Sequence, residues 1–139
     1  MSLKSVRGIS IAYDEYGSGM PFVLLHGHPF NRSMWNDQIA MLSSNCRMIV
    51  PDLRGYGETT VLPGKTTMED FAGDLAALLD ALAIEHIILG GLSMGGQIVF
   101  EFYRQFPTRV QALLLADTQP QVDTEEIRAQ RYANAQRIV

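Results

Sequence analysis

"HIILGGLSMGGQIVFEFYRQF", residues 86–106, joins a short apolar run to an amphipathic one, with a serine at the junction. His86 to Gly91 is too short and too uniformly apolar for a surface helix and reads as a buried strand. The stretch from Met94 onward is helical and stops before Pro107, which lacks the N–H and the space to continue a helix. Gly91 and Gly95 stand two positions either side of Ser93. A chain that reverses from strand to helix over so few residues presses those flanking positions together, and a larger side chain would clash. Ser93 is therefore expected in a strained, exposed turn at the carboxyl edge of a sheet. The helix that follows directs its free N–H groups and positive dipole end at the same place. Such a serine is a candidate nucleophile that still needs a base. The competing assignment is a helix N-cap whose hydroxyl satisfies a backbone N–H.

Working outward, "ISIAYDEYG" (9–17) alternates as a strand does and ends in a glycine turn, and "PFVLLHG" (21–27) is a second buried strand opened by Pro21. Trp35, Ile39 and Leu42 recur at helical spacing and predict a helix over 33–44 with Ser33 at its N-cap. "RMIVPD" (47–52) is the next strand, followed by the glycine-rich "LRGYGETTVLPGK". Thr66 and Glu69 fit a capping box ahead of the stripe Met68, Phe71, Leu75, Leu78 and Leu82. "VQALLLAD" (110–117) is a further strand. Strands alternating with helices predict an α/β fold, a mainly parallel sheet with helices on both faces. Asp123 caps a last helix, "TEEIRAQRYANAQRIV", which runs to residue 139 without a stop signal.

At 139 residues and 47% hydrophobic content the chain has the size and core of one domain. A net charge of -4, with 11 scattered Lys and Arg, argues against nucleic-acid binding, which needs a clustered basic face. The lone Cys46 makes no internal disulfide, and no Cys/His cluster has metal-ligand spacing, so no metal or other cofactor is expected. The N-terminus lacks the apolar core of a signal peptide, and no apolar run approaches the roughly 18 residues of a membrane span. A soluble, cytoplasmic protein is the expectation.

A second constellation lies in "LLHGHPF" (24–30), where a buried strand ends at His26-Gly27 on the same sheet edge. The main-chain N–H groups of His28 and Met94 would there make a two-donor oxyanion hole. Loss of one such donor typically costs about a hundredfold to a thousandfold in rate. Together "LLHGHPF", "VPDLRGYGET" (50–59) and "GGLSMGGQ" (90–97) resemble, in order and spacing, the α/β-hydrolase family. The resemblance implies Ser93 as nucleophile, His28 and Met94 as oxyanion donors, and Asp52 and Arg54 as residues that hold a loop. Thr59 stands where many members carry serine. A serine at 93 favours esters or lactones as small-molecule substrates over the epoxide hydrolases and haloalkane dehalogenases, which use a carboxylate nucleophile. The carboxylesterase, enol-lactonase and cofactor-free haloperoxidase branch is the most similar. Carbon–carbon bond hydrolases and perhydrolases share the same elbow.

The base is the gap. No histidine follows Ser93 in the sequence. His86 opens the strand whose far end carries Ser93, on the order of 20 Å away, and is structural. His26, beside a buried strand, is read as a hydrogen-bonded structural histidine. Asp117, at the carboxyl end of "LLLAD", is a candidate acid, with a turn through Thr118 and Pro120 as the competing assignment. Residues 1–122 are thus expected to form the N-terminal part of a hydrolase core and 123–139 the start of a truncated helical cap. A complementary C-terminal segment is the expected partner. A self-associating, non-enzymatic binding module is the alternative, because a half-sheet exposes a strand edge.

Overall fold

The computed structural model describes residues 1–121 and 123–136. The strands are β1 (Ser2–Val6), β2 (Ile9–Tyr16), β3 (Pro21–Leu25), β4 (Arg47–Pro51), β5 (Ile87–Leu92) and β6 (Val110–Ala116). The helices are α1 (Asn36–Leu42), α2 (Met68–Ala81), α3 (Met94–Gln105) and α4 (Glu125–Ala135). They form one sheet in the order β1-β2-β4-β3-β5-β6. β3 pairs in parallel with β4 and β5, and β5 in parallel with β6, whereas β1–β2 and β2–β4 are antiparallel. The expected α/β architecture is the one observed.

The two sides of β3 and β4 are sorted by the two-residue period of a strand. Val23, Leu25 and Ile49 join Leu75, Leu78 and Leu79 of α2 and Ile98, Val99 and Phe102 of α3 in one core. Phe22, Leu24, Met48 and Val50 join Trp35 and Ile39 in the other. Burial on both faces explains the unbroken apolar runs, and each fully buried Leu, Ile or Phe side chain contributes about 1.5–3 kcal/mol. β6 differs. Among the described residues its only neighbour in the sheet is β5, and Leu113, Leu114 and Leu115 remain 39%, 41% and 44% exposed.

Four local expectations are corrected. β1 was not anticipated; it is mostly exposed and turns into β2 through Arg7 and Gly8, both at positive φ. The helix expected over 33–44 begins instead as a 3₁₀ turn, Arg32–Trp35, and Asn31, not Ser33, caps it. The Asn31 carboxamide oxygen accepts both the Ser33 N–H at 2.9 Å and the Ser33 hydroxyl at 2.7 Å, so Ser33 is spent as a donor. The capping box of α2 is Thr67 with Asp70, one residue later than Thr66 and Glu69. Similarly Thr124, not Asp123, caps α4 by accepting the Ile127 N–H, while Asp123 pairs with Arg131 at 2.9 Å. Residues 137–139 of that expected helix, and Val122 at the expected boundary, lie outside the described residues.

The loop after β4 is wound around Asp52. This buried carboxylate accepts the main-chain N–H of Arg32 at 2.7 Å and of Glu58 at 2.8 Å, and pairs with the Arg32 guanidinium. Gly57 has φ 52°, and a Cβ there would overlap the Asp52 carboxylate, which is why the loop needs glycine at that point. Arg32 also reaches Asp14 at 2.9 Å and Glu58 at 2.5 Å. Removing one partner of a buried pair strands the other, at a cost of about 3–5 kcal/mol. Asp52→Ala is accordingly expected to lower the urea-unfolding free energy by about 3 kcal/mol. A loss below about 1 kcal/mol would mean that solvent replaces the carboxylate without penalty.

Candidate functional site

β3 and β5 run side by side with Leu25 opposite Gly91, so their carboxyl ends meet. A Cβ on Gly27 would lie 3.2 Å from the Leu92 carbonyl oxygen and 3.6 Å from Ser93 Cβ. Ser93 occupies the turn between β5 and α3 with φ 51° and ψ -113°, a backbone conformation that costs a non-glycine residue about 1–3 kcal/mol. The flanking glycines make the turn possible. A Cβ on Gly95 would overlap the Leu25 carbonyl and come 2.8 Å from the His26 carbonyl oxygen. One on Gly91 would run into the main chain of Gly95 and approach the Gly96 nitrogen to 2.7 Å.

Ser93 stands at the N-cap position of α3, yet its side chain makes no capping hydrogen bond. The N-cap assignment therefore leaves its exposed hydroxyl unexplained. The main chain of Ser93 is held instead, its N–H donating to Ala116 O at 3.0 Å and its carbonyl accepting the Thr118 hydroxyl at 2.8 Å. Among the described residues, no hydrogen bond within the chain takes up the main-chain N–H of His28 or of Met94. Ser93, His28, Met94, Tyr56, Gln97 and Arg131 line a cleft of about 530 Å³.

The two nearer histidines have distinct surroundings. His26 is fully buried; its Nε2 accepts the Leu53 N–H at 3.0 Å and its Nδ1 lies 3.0 Å from Gly27 O. Desolvation by burial lowers its pKa, against the raising effects of Gly27 O and Asp52, and keeps the imidazole neutral. His28 is exposed and its Nδ1 lies 2.9 Å from the Tyr56 hydroxyl. Burial pushes the Tyr56 phenol upward, so it stays protonated. His86 precedes β5 at the opposite end of that strand from Ser93, with Nδ1 3.2 Å from Thr108 O. Asp117, at φ 42° after β6, shares a small polar cleft of about 200 Å³ with Ser93, Gln97 and Arg131.

The structure thus brings Ser93, His28, Met94 and Asp117 to one sheet edge and keeps His26 and His86 out of the cleft. Asp52 and Arg54 hold loops as the resemblance implied, Arg54 by a two-pronged pair with Asp74 at 2.7 and 2.6 Å. Thr59 is buried; it donates to Asp52 O and accepts the Ala12 N–H. Tyr56 and Arg32 were not singled out in the sequence. An aromatic residue between two glycines, in "RGYG", was the available signal for Tyr56. Among the described residues, no group of three or more His, Cys, Asp or Glu could hold a metal ion, and no helix is long and apolar enough to cross a membrane.

With a strand-to-helix turn of this geometry on a mainly parallel sheet, the chain belongs to the α/β-hydrolase fold family, whose model matches residues 20–138. It is 38% identical over 113 residues to epoxide hydrolase 2 of Siraitia grosvenorii, covering 79% of this chain and 36% of that protein. A putative non-heme chloroperoxidase of Synechocystis sp. is 35% identical over 115 residues, which cover 81% of this chain and 42% of that one. Among solved structures, a thermophilic esterase from Thermogutta terrifontis superposes with a TM-score of 0.92 at 43% identity. That match covers 98% of this chain and 51% of the esterase. The chain therefore spans from about a third to about half the length of these relatives.

His26 also makes stability depend on pH. Its folded-state pKa lies below the ordinary 6.5, so the unfolded state binds the proton first as pH falls. Its stabilising contribution is complete above about pH 6.5 and is lost on acidification through the lower folded value. Urea midpoints are expected to fall between about pH 7.5 and pH 5, and His26→Gln to flatten that fall. An equal slope in wild type and variant would assign the effect to other groups.

Proposed function

We propose that this chain is the nucleophile-bearing part of a serine hydrolase that acts on carboxylic esters or lactones through an acyl-serine intermediate. The observation that carries this reading is Ser93 itself, strained at φ 51° and exposed, with a hydroxyl committed to no cap. Ser93 Oγ attacks the substrate carbonyl carbon, and the developing oxyanion takes hydrogen bonds from the His28 and Met94 N–H groups. Collapse expels the alcohol, and water then releases the acid. A serine rather than a carboxylate at this position favours carbonyl substrates over epoxides, although several relatives carry the name epoxide hydrolase. No cofactor enters the scheme.

The proton has to be taken from Ser93 by a base, and among the three histidines only His28 lines the Ser93 cleft. His28 serves here through its main chain. The base is assigned to a complementary C-terminal segment, with Asp117 as a candidate acid beside it. Residues 1–122 then form the N-terminal part of the core and 123–139 the opening of a cap. The unpaired edge and exposed leucines of β6 support such a partner, and they favour self-association as the second reading.

Removing the base from a triad leaves about a thousandfold to ten-thousandfold advantage over water. The 139-residue chain is expected to retain only that residue of activity on p-nitrophenyl acetate. Co-expression with the C-terminal half of the Thermogutta terrifontis esterase should restore turnover and allow diisopropyl fluorophosphate to label Ser93, as read by peptide mass, with Ser93→Ala abolishing both. A reconstituted, folded complex whose Ser93 stays unlabelled would overturn the proposal. A stable monomer by sedimentation would remove the self-association reading.

A further inference from the structure

We infer that Tyr56 is a positioning residue of the oxyanion site, its hydroxyl tying together the side chains of the two residues that supply the donors. This rests on the serine-hydrolase reading and deepens it. The two donors come from separate stretches of chain, His28 from the loop after β3 and Met94 from the first turn of α3. Nothing in the covalent geometry fixes their separation. An oxyanion hole works only if both donors lie about 2.7–3.1 Å from one oxygen, so a shift of a few tenths of an ångström in either matters.

The Tyr56 hydroxyl lies 2.9 Å from His28 Nδ1 and 3.6 Å from Met94 Sδ. It has one proton and two neighbours. A thioether sulfur only accepts, whereas a neutral imidazole nitrogen either donates or accepts. The arrangement that satisfies all three groups has His28 Nδ1–H donating to Tyr56 Oη and the Tyr56 O–H donating to Met94 Sδ. That also fixes the His28 tautomer, leaving Nε2 without a proton. The ring is braced edge-on by His26, with centroids 5.2 Å apart, and by His28 at 5.8 Å.

The backbone under Tyr56 is itself fixed. Its N–H donates to Leu53 O at 2.9 Å, and its carbonyl accepts the Thr59 N–H at 3.0 Å. Leu53 in turn donates its N–H to the buried His26 Nε2 at 3.0 Å. Gly57, next in sequence, sits against the Asp52 carboxylate. A stiff path of hydrogen bonds therefore leads from the buried end of β4 to a hydroxyl between the two donor residues. Among the described residues the phenol hydroxyl makes no hydrogen bond to Ser93; it acts through His28 and Met94.

Tyr56→Phe removes the hydroxyl and keeps the ring, so the fold should be retained and a thermal melt checks that. The 139-residue chain is suited to the test, because without a base its residual ester hydrolysis comes from the oxyanion hole and binding alone. For p-nitrophenyl acetate, kcat is expected to fall about tenfold in the variant while KM stays within about twofold. In parallel, ¹⁵N NMR should show the His28 ring losing its fixed Nδ1–H tautomer and the His28 and Met94 amide resonances shifting. A variant with wild-type kcat, or with these resonances unmoved, would overturn the inference. Should the wild-type chain show no turnover above the uncatalysed rate, the failure belongs to the serine-hydrolase reading. The resonances then decide the role of Tyr56: shifted supports it, unmoved overturns it.

Discussion

Everything at this sheet edge depends on how closely the first turn of α3 approaches the ends of β3 and β5. Gly95 lies so near the Leu25 and His26 carbonyls that a single methyl group there would overlap the main chain. Gly91 and Gly95 lie against one another in the same way. Because the turn is this tight, Ser93 is forced to positive φ, and its side chain leaves the helix instead of capping it. The same closeness carries Gly27, and with it the start of the His28 loop, against Ser93. Packing of main chain on main chain, with no side chain between, makes three separate segments share one small volume.

The second constraint is electrostatic. Asp52 is buried at the end of β4, and its carboxylate organises two loops at once, through the Arg32 N–H and guanidinium on one side and the Glu58 N–H on the other. Such an ion is costly to bury unless its acceptor sites are filled, and here they are. The loop that carries Tyr56 and the loop that follows His28 are consequently braced by the same anion. His26 adds a neutral anchor between them, held uncharged by its burial.

What could be read in the sequence follows from how local each cause is. The helices α2 and α3 and strand β2 were legible because burial imposes a period of 3.6 or 2 on their apolar residues, β3 to β5 because burial on both faces leaves unbroken apolar runs, and β6 by its apolar run although its leucines stay exposed. β1 was missed because "SLKSV" is an exposed edge with little burial to pattern it. Cap positions slipped by one or two residues, at Asn31, Thr67 and Thr124, because neighbouring Ser, Thr, Asn and Asp residues all qualify chemically and only the path of the chain selects one. The placing of Ser93, His28 and Met94 was legible as glycine spacing at strand ends. Tyr56 and Arg32 were not, since each acts across 18 or more residues of sequence through side-chain partners that only the fold brings near.

The open edge of β6 has a consequence that is colloidal rather than catalytic. A strand with leucines exposed on both faces and a free row of N–H and C=O groups carries no charge or proline that would discourage a stranger, and its one irregularity lies at its start, where Gln111 is skipped in the pairing with β5. Strand addition at an edge of this kind is generic, since main-chain hydrogen bonds do not read side-chain identity. Were that edge left uncovered, concentration and the company the chain keeps would bear on how long it stays dispersed.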